Sequence, residues 1–462
     1  MICKKYIYFL TTLVMWISTC CKSKTNNSLS GRDFYEIMES GEIKALTLSG
    51  SMSYFIYKGA EMGYQYELIK NFADANNLRL KIIIANNETE LREMLETGKG
   101  DIIACNFPVT NEGKEKFLYC GEESINEQVL VQRSNKGDTL LNDIPDLIGK
   151  NIWVIHDTKY YSRLLNLNNE SGGGINIHSI DKDTVSVEDL IEMVANGEIP
   201  YTVSDLDLAK LNKTYYSNIN IALKISHPQR SSWMVDKRSP KLAENVNEWF
   251  KNNSNTTKYR AIIKRYFEMS KLPGDAPAPI ISNKAISVHD KYFKQYAPKI
   301  PWDWRLLASI AYQESKFYVD KVSWAGATGL MGIMPKTAET FNMELDRLID
   351  PESSVETATK LIKRLNKHFS SIENEEERIK FILASYNGGL GHVTDAQALA
   401  EKYGKDPHVW EDNVLECLKL KKLPEYYNDP VCKSGYFRGT ESIAYVKAVM
   451  ERWKYYQEKV EE

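Results

Sequence analysis

The stretch WDWRLLASIAYQESKF, residues 302–317, combines apolar residues at helical spacing with a glutamate placed among them. Leu307, Ala311 and Tyr318 fall on one stripe of the predicted helix, and Glu314 lies on that stripe rather than on the opposite face. A carboxylate that faces a core costs several kcal/mol unless it is paired or stays protonated. Glu314 is therefore either a structural glutamate near a helix end or a functional acid.

The composition of the chain excludes some classes of function. It has 462 residues, 26% of them charged, and a net charge of -3. This length suits two or three domains. No basic stripe is present, so a nucleic-acid partner is not expected. The His residues are scattered and no CxxC motif occurs, so neither a metal site nor a cofactor is expected.

The first residues have the order of an export signal: two lysines, an apolar run over 6–17, then small residues and cysteine. The run is too short to span a bilayer comfortably. ISTC at 17–20 resembles a bacterial lipoprotein box. This implies a signal peptide over 1–19, a lipid anchor on Cys20, a tether over 20–32, and an outer-membrane lipoprotein facing the periplasm. The alternative is a plain cleaved signal peptide, and the mature chain is exported in both cases.

Two later pairs of cysteines, Cys105 with Cys120 and Cys417 with Cys432, are each fifteen positions apart. An oxidising compartment permits disulfides, whereas buried free thiols are equally common. Both alternatives are open for both pairs.

Between residues 33 and 270, short β-rich runs alternate with helical segments. This alternation predicts an α/β domain with a parallel-type sheet. The predicted strands are 43–48, 80–85, 100–105, 127–132, 151–155 and 199–204, and the predicted helices include 66–77 and 88–98.

This half resembles the bacterial extracellular solute-binding proteins of the amino-acid type, through GYQYELIKNFADANNLRL (63–80), LETGKGDIIACNFPVT (95–110) and a second lobe that begins near LIGKNIWVI (147–155). The resemblance implies two lobes that close on a small ligand, with Asp205 receiving the ligand's ammonium. A helix-cap aspartate is the alternative. Gly113 stands where the family has a carboxylate-gripping arginine, which argues against tight capture of free amino acids. The expected effector is a muropeptide or a weakly bound amino acid.

A proline-rich stretch over 271–284 predicts an extended linker, and an almost wholly helical domain follows over 285–462. Taken singly, its Gly-rich turns and its helix-stopping Asn-Gly pair mostly serve a fold. The stretches that follow Glu314 are GATGLMGIMPKTAE (326–339), ASYNGGLGHV (384–393) and ESIAYVKAVMERWKYY (441–456).

In this order the motifs resemble the lysozyme-like domain of bacterial lytic transglycosylases. With the upstream half, the mature chain resembles the membrane-bound lytic murein transglycosylase F family. The resemblance implies a multidomain protein, a two-lobed α/β periplasmic-binding-protein fold followed by an all-α lysozyme-like domain, that acts on peptidoglycan glycan strands. Gly332 stands where members often carry Gln. The implied catalytic residue is Glu314, and the implied substrate-binding residues are Ser315, Gly329, Leu330, Met331, Tyr386, Asn387 and Tyr445.

The position of Glu314 suits a general acid, because burial favours the protonated form of a carboxyl group. The resemblance implies that Glu314 protonates the glycosidic oxygen between N-acetylmuramic acid and N-acetylglucosamine. The same carboxylate then takes the C6 hydroxyl proton, which gives a 1,6-anhydro product without water. No second carboxylate stands at a motif position. The alternatives are a lipoprotein that binds or senses the cell wall without cutting it, and a hydrolase with a second carboxylate.

Overall fold

The computed structural model describes residues 31–181, 185–271 and 285–461. The expected signal peptide, Cys20 and almost all of the proline-rich stretch lie outside the described residues. Within the described ranges, no helix combines the length and the apolar character that crossing a membrane requires.

The first lobe is a five-stranded sheet with helices packed on it. Its first three strands are parallel, and Gln229–Asp236 runs antiparallel to both of its neighbours. The strands, in spatial order, are Arg79–Ala85, Glu42–Leu48, Ile102–Pro108, Gln229–Asp236 and Phe117–Asn126. The helices of this lobe are Phe34–Ser40, Tyr64–Ala75, Glu88–Glu96, Asn111–Lys116, Pro240–Asn253 and Thr257–Phe267.

The second lobe is a separate five-stranded sheet, which the chain enters after Asn126 and leaves before Gln229. Its strands, in spatial order, are Ile219–Asn220, Gln128–Arg133, Tyr201–Asp205, Asn151–Ile155 and Asn176–Ile180. Its helices are Lys159–Glu170, Val187–Asn196 and Leu206–Lys213, with a short 3-10 turn at Ile144–Leu147. All six predicted strands and both predicted helices are present, so the two-lobed α/β prediction is confirmed. The prediction of a parallel-type sheet is wrong in part, because each sheet combines parallel and antiparallel pairs.

A small hairpin that the sequence pattern did not predict leaves the first lobe. Its strands are Phe55–Tyr57 and Ala60–Met62, and we call it the docking hairpin. Its two-residue turn consists of Lys58 and Gly59, with φ of 48° and 76°. Two central residues with positive φ match the type I′ turn, which fits the twist of a hairpin. A lysine is an uncommon residue in this left-handed conformation.

The second domain is helical, as predicted, around a single large apolar core. In this core the helix Trp304–Ser315 packs against the closing helix Gly439–Lys459. Two 3-10 turns at Ala297–Lys299 and Leu345–Ile349 and a π turn at Trp410–Val414 connect helices. The helices are Asp290–Tyr296, Trp304–Ser315, Pro335–Thr340, Pro351–His368, Glu375–Gly388, Leu390–Lys402, Leu415–Leu420, Pro424–Tyr427 and Gly439–Lys459.

The helix that carries Glu314, which we call the acid helix, is shorter than its apolar pattern predicts. The side chain of Asp303 accepts a hydrogen bond from the Arg305 backbone N–H and so caps its start. The helix ends at Ser315, because Lys316 and Phe317 adopt left-handed φ of 57° and 66°. Tyr318 therefore lies beyond the helix and is 65% exposed, and its predicted place on the buried stripe is wrong.

The structure excludes one of the two suggested disulfides. Cys105 and Cys120 lie on strands that are separated by Gln229–Asp236, so about 9–10 Å of sheet lies between them, beyond the reach of a disulfide. They also contact different apolar clusters. Cys417 and Cys432 are free thiols in this structure as well.

The first lobe and the helical domain share an apolar contact. Trp324, Ala325, Ala327 and Met334 of the helical domain belong to the core cluster of the first lobe. Tyr57 of the docking hairpin packs on Trp324, with ring centroids 5.2 Å apart. This contact positions the hairpin against the helical domain.

Candidate active site

Glu314 lies in the last turn of the acid helix, and its side chain is only 9% exposed. Its two carboxylate oxygens are each 3.1 Å from the ammonium nitrogen of Lys58, which is itself 7% exposed. Burial of the carboxyl group was expected. The partner is a cation supplied by the other domain, from the turn of the docking hairpin.

Three of the predicted substrate-binding residues surround Glu314. Asn387 and Tyr445 line a cavity of about 470 Å³ together with Glu314. Tyr445 is buried beside Glu314, and desolvation together with the charge of Glu314 raises the pKa of Tyr445 well above its usual value. Tyr386 is also buried, and desolvation and then Glu314 raise its pKa in the same way. Both phenols therefore stay protonated next to the carboxylate.

The other predicted contacts hold the Gly-rich loop in place instead of facing the cavity. The Ser315 hydroxyl is fully buried and lies 3.0 Å from the Ala311 carbonyl oxygen and 2.8 Å from that of Leu330. Ser315 was implied to bind substrate, but its hydroxyl bonds to the backbone in this structure. The Tyr386 hydroxyl donates to the Met331 carbonyl at 2.7 Å. Ser315 and Tyr386 thus anchor the loop from two sides.

The side chains of Leu330 and Met331 are fully buried in the core of the helical domain. Both residues were implied to bind substrate, but in this structure their side chains offer no surface to a sugar. Gly329 has φ of 83°, and a Cβ there would lie 2.1 Å from the Leu348 carbonyl oxygen. Its role in the structure is to allow this close approach of two backbones.

Gly332 lies directly against the side chain of Glu314. Its φ is 60°, and a Cβ there would lie 2.3 Å from Glu314 Oε2 and 3.0 Å from Glu314 Cβ. Any larger residue would displace either the loop or Glu314. The glycine at this position therefore allows the loop to pack closely against Glu314.

The docking hairpin crosses the groove at Glu314. The Lys58 backbone N–H donates to the Gly388 carbonyl at 3.2 Å. A Cβ on Gly389 would lie only 3.1 Å from the Gly59 nitrogen, so the turn rests directly on the backbone of the helical domain. The hairpin adjoins two cavities, the one of 470 Å³ through Tyr57 and a second one of about 150 Å³ through Gly59. Lys58 lines both.

Two side chains of the helical domain bind the strands of the hairpin. His392 Nε2 lies 2.9 Å from the Ile56 carbonyl oxygen. Burial, followed by the charge of Lys421, lowers the pKa of His392 to about 3, so its ring is neutral and Nε2 carries the hydrogen. The Tyr57 hydroxyl donates to Glu441 Oε1 at 2.9 Å.

Glu441 is one of two further carboxyl groups in the cavity of Glu314, the other being Glu192 of the second lobe, and the sequence reasoning missed both. Desolvation raises the pKa of Glu441, while the hydrogen bond from Tyr57 lowers it. Glu441 stands at the start of the motif ESIAYV, next to residues that were singled out. Lys58 was also missed. Its signal in the sequence is weaker than that of Glu441, because it consists only of a Lys-Gly pair between two short apolar runs.

The expected effector site in the solute-binding half has been altered in two places. The Asp205 carboxylate forms an ion pair with the Lys159 ammonium, so an internal cation occupies the place expected for a ligand's ammonium. Asp205 also occupies the N-cap position of the helix Leu206–Lys213, as the cap alternative predicted, although its side chain makes no capping hydrogen bond. At Gly113 a Cβ would lie 2.0 Å from the Tyr119 hydroxyl oxygen. Tyr119 therefore fills the space from which the arginine of the family would start.

No group of three or more potential metal ligands occurs within residues 31–181, 185–271 and 285–461.

Comparisons with known proteins agree with the two halves. The family model "Bacterial extracellular solute-binding proteins, family 3" matches residues 49–269. The model "Transglycosylase SLT domain" matches residues 291–409, which include Glu314, the Gly-rich loop, Tyr386 and Asn387.

Similar proteins extend over most of the chain. The membrane-bound lytic murein transglycosylase F of Desulfosudis oleivorans is 30% identical over 91% of both chains. The protein of the same name from Shewanella halifaxensis is 31% identical, over 89% of this chain and 85% of the relative. Among solved structures, the L-cystine solute receptor of Neisseria gonorrhoeae in its unliganded open conformation covers 52% of this chain and 98% of its own. It is 15% identical, with a TM-score of 0.43.

Proposed function

This chain belongs to the membrane-bound lytic murein transglycosylase F family, and we propose that Glu314 is the residue with which it cuts peptidoglycan glycan strands. The observation that supports this most is the place of Glu314. It is a buried carboxyl group beside the phenols of Tyr386 and Tyr445, on the wall of a cavity of about 470 Å³. Buried acids at such sites perform proton transfer.

Glu314 acts first as an acid and then as a base. It donates its proton to the oxygen that links C1 of N-acetylmuramic acid to N-acetylglucosamine, and the C1–O bond breaks. The carbonyl oxygen of the muramic acid N-acetyl group stabilises the positive charge at C1. The Glu314 carboxylate then takes the proton of the C6 hydroxyl, whose oxygen bonds to C1. The product is a 1,6-anhydro ring, and Glu314 is again protonated.

Hydrolysis is the second candidate, because Glu441 lies in the same cavity as Glu314. A hydrolase uses its second carboxylate either to activate water or to attack the sugar. In this structure the Glu441 carboxylate accepts a hydrogen bond from the Tyr57 hydroxyl. This supports a structural role for Glu441 in docking the hairpin.

Mass spectrometry of the fragments that the full-length protein releases from purified sacculi separates the two reactions. We expect muropeptides that end in 1,6-anhydro-N-acetylmuramic acid, because the C6 hydroxyl replaces water as the nucleophile. Fragments that are heavier by one water and carry a reducing end would contradict this mechanism and favour hydrolysis with Glu441.

The resting form of the enzyme is inhibited by its own docking hairpin. The hairpin lies over Glu314, and the Lys58 ammonium contacts both of its carboxylate oxygens, so a glycan strand cannot reach Glu314 while the hairpin is docked. Activity then requires the hairpin to leave. The first lobe carries the hairpin, so a motion of the lobes can move it.

Glu188 of the second lobe connects this motion to the helical domain. It accepts hydrogen bonds from Ser51 of the first lobe at 2.6 Å and from Tyr436 of the helical domain at 2.5 Å. A ligand that closes the lobes changes the hydrogen bonds at Glu188. It can shift the hairpin between its docked and undocked states only if it binds the protein with different affinity in those two states. The effector is a muropeptide or an amino acid that competes with Lys159 for Asp205.

The chain is attached to the outer membrane by lipid on Cys20, facing the periplasm. The lipoprotein-box resemblance of residues 17–20 and the name of the relatives support this. We expect wild-type protein in the membrane fraction of cells and Cys20→Ala protein in the soluble fraction, because the acyl chains supply the anchor. Fractionation followed by immunoblotting measures this. Wild-type protein in the soluble fraction would contradict the anchor.

A further inference from the structure

The 150 Å³ cavity beside the docking hairpin has chemistry that the cutting reaction does not use. Gly332, which touches Glu314, forms part of its wall. The cavity therefore adjoins the reacting centre. Its other walls come from the helices Pro335–Thr340, Pro351–His368 and Glu375–Gly388 and from the residues that follow.

Ser385 lines this cavity with an unpartnered hydroxyl. Its side chain is 4% exposed, and its Oγ has no hydrogen-bond partner in the structure. A buried serine in a helix normally bonds to a backbone carbonyl one turn earlier, as Ser315 does. A buried hydroxyl without a partner costs free energy, and a ligand in the cavity would supply the missing bond.

Arg364, an exposed residue, lines the same cavity. Across the described residues, no carboxylate forms an ion pair or hydrogen bond with it. The residues that line the cavity include Lys58 but no Asp or Glu. The charged residues that line the cavity are therefore both cationic. When the hairpin leaves and takes Lys58 with it, Arg364 remains.

A guanidinium beside a hydroxyl suits a carboxylate. The guanidinium offers a planar pair of N–H donors that matches the two oxygens of a carboxylate, and the Ser385 hydroxyl can donate a further bond. Leu361 and Leu390 supply apolar walls for the short carbon chain that carries the group.

We propose that Arg364 and Ser385 bind a carboxylate on the side arm of N-acetylmuramic acid. This inference rests on the proposed function, because it places muramic acid next to Glu314. The lactyl group of muramic acid ends in a carboxyl group, and in the cell wall the stem peptide extends it with carboxylates of its own. N-acetylglucosamine has no such arm. Recognition of the arm thus selects which glycosidic bond faces Glu314.

The test measures kcat/KM of the full-length protein on three sets of glycan strands. The first set carries stem peptides. The second has been stripped by an amidase and carries only lactyl carboxylates. The third is the stripped set after its carboxylates have been converted to methylamides. The variants are Arg364→Gln, Ser385→Ala and, as a matched control, Lys363→Gln, which removes an exposed charge from the neighbouring position on the same helix outside the cavity.

We expect Arg364→Gln to lower kcat/KM about tenfold on strands that carry a bound carboxylate, because a charge-assisted bond is lost. It should leave the methylamide strands within about twofold of wild type, and Ser385→Ala should show the same selectivity. A loss with the first set alone identifies a stem-peptide carboxylate, and a loss with the stripped set identifies the lactyl group. Equal effects on all three sets, or an equal loss with Lys363→Gln, would overturn the subsite. If wild type cleaves none of the sets, the proposed function itself has failed.

Discussion

We expect the Glu314→Gln protein to cleave glycan strands about 10²–10⁴-fold more slowly than the wild-type chain. The amide keeps the shape of the side chain but can neither donate the acid proton nor take the C6 hydroxyl proton. Release of soluble fragments from purified sacculi measures the rate.

The structure separates this chemical effect from an effect on access. The uncharged amide of the Glu314→Gln protein no longer neutralises Lys58, whose ammonium is buried in the interface, so the docking hairpin should bind less tightly. Easier access would raise the rate, which is the opposite of the expected result. The control is Glu339→Gln, an exposed carboxyl in the same domain. Near-normal cleavage by Glu314→Gln with an unchanged unfolding temperature would show that another group is the acid.

Replacing Lys58 by alanine should raise the basal rate of cleavage. The change removes a cation that contacts both oxygens of Glu314 and leaves the backbone contacts of the hairpin at Gly388 and His392 in place. Couplings between sites are typically about 1–3 kcal/mol, so the expected activation is about 5–150-fold. The initial rate of fragment release by the full-length protein, without added effector, measures it.

Two controls define this result. Lys81→Ala removes an exposed lysine from the first lobe and should leave the rate unchanged. Added muropeptides should activate the wild-type chain and should have a much smaller effect on Lys58→Ala, which is already released. A Lys58→Ala protein with the basal rate of wild type would mean that the hairpin does not limit cleavage, although Glu314 could still be the acid.

Much of the fold could be read from the sequence because it depends on local patterns. The apolar runs of the solute-binding half gave six strands that are all present, and helical periodicity with Gly and Pro signals gave the helical domain. The acid helix was placed correctly except at its end. The left-handed turn at Lys316 and Phe317 stops it, and neither residue is one that commonly marks such a turn.

The motifs singled out Glu314 and its neighbours, but several of the implied substrate-binding residues make contacts within the protein instead. A Gly-rich loop reads the same whether its side chains face a ligand or a core. Leu330 and Met331 face the core here, and the Ser315 hydroxyl binds the backbone. Which way a loop residue points is decided by packing from other helices, and residues far away in the sequence supply that packing.

The sequence by itself therefore determined the two folds and their order, and it singled out Glu314. Only the tertiary structure showed that a hairpin of the first lobe lies on the helical domain and contacts Glu314. Lys58 and Glu314 are 256 positions apart, and a lysine in a hairpin turn has the local pattern of a solvated residue. The same is true of Arg364 and Ser385, which lie on different helices and have neighbouring positions only after the helical domain has packed. Periodicity specifies which face of an element is buried, whereas the partner that covers the face depends on how complete domains pack together.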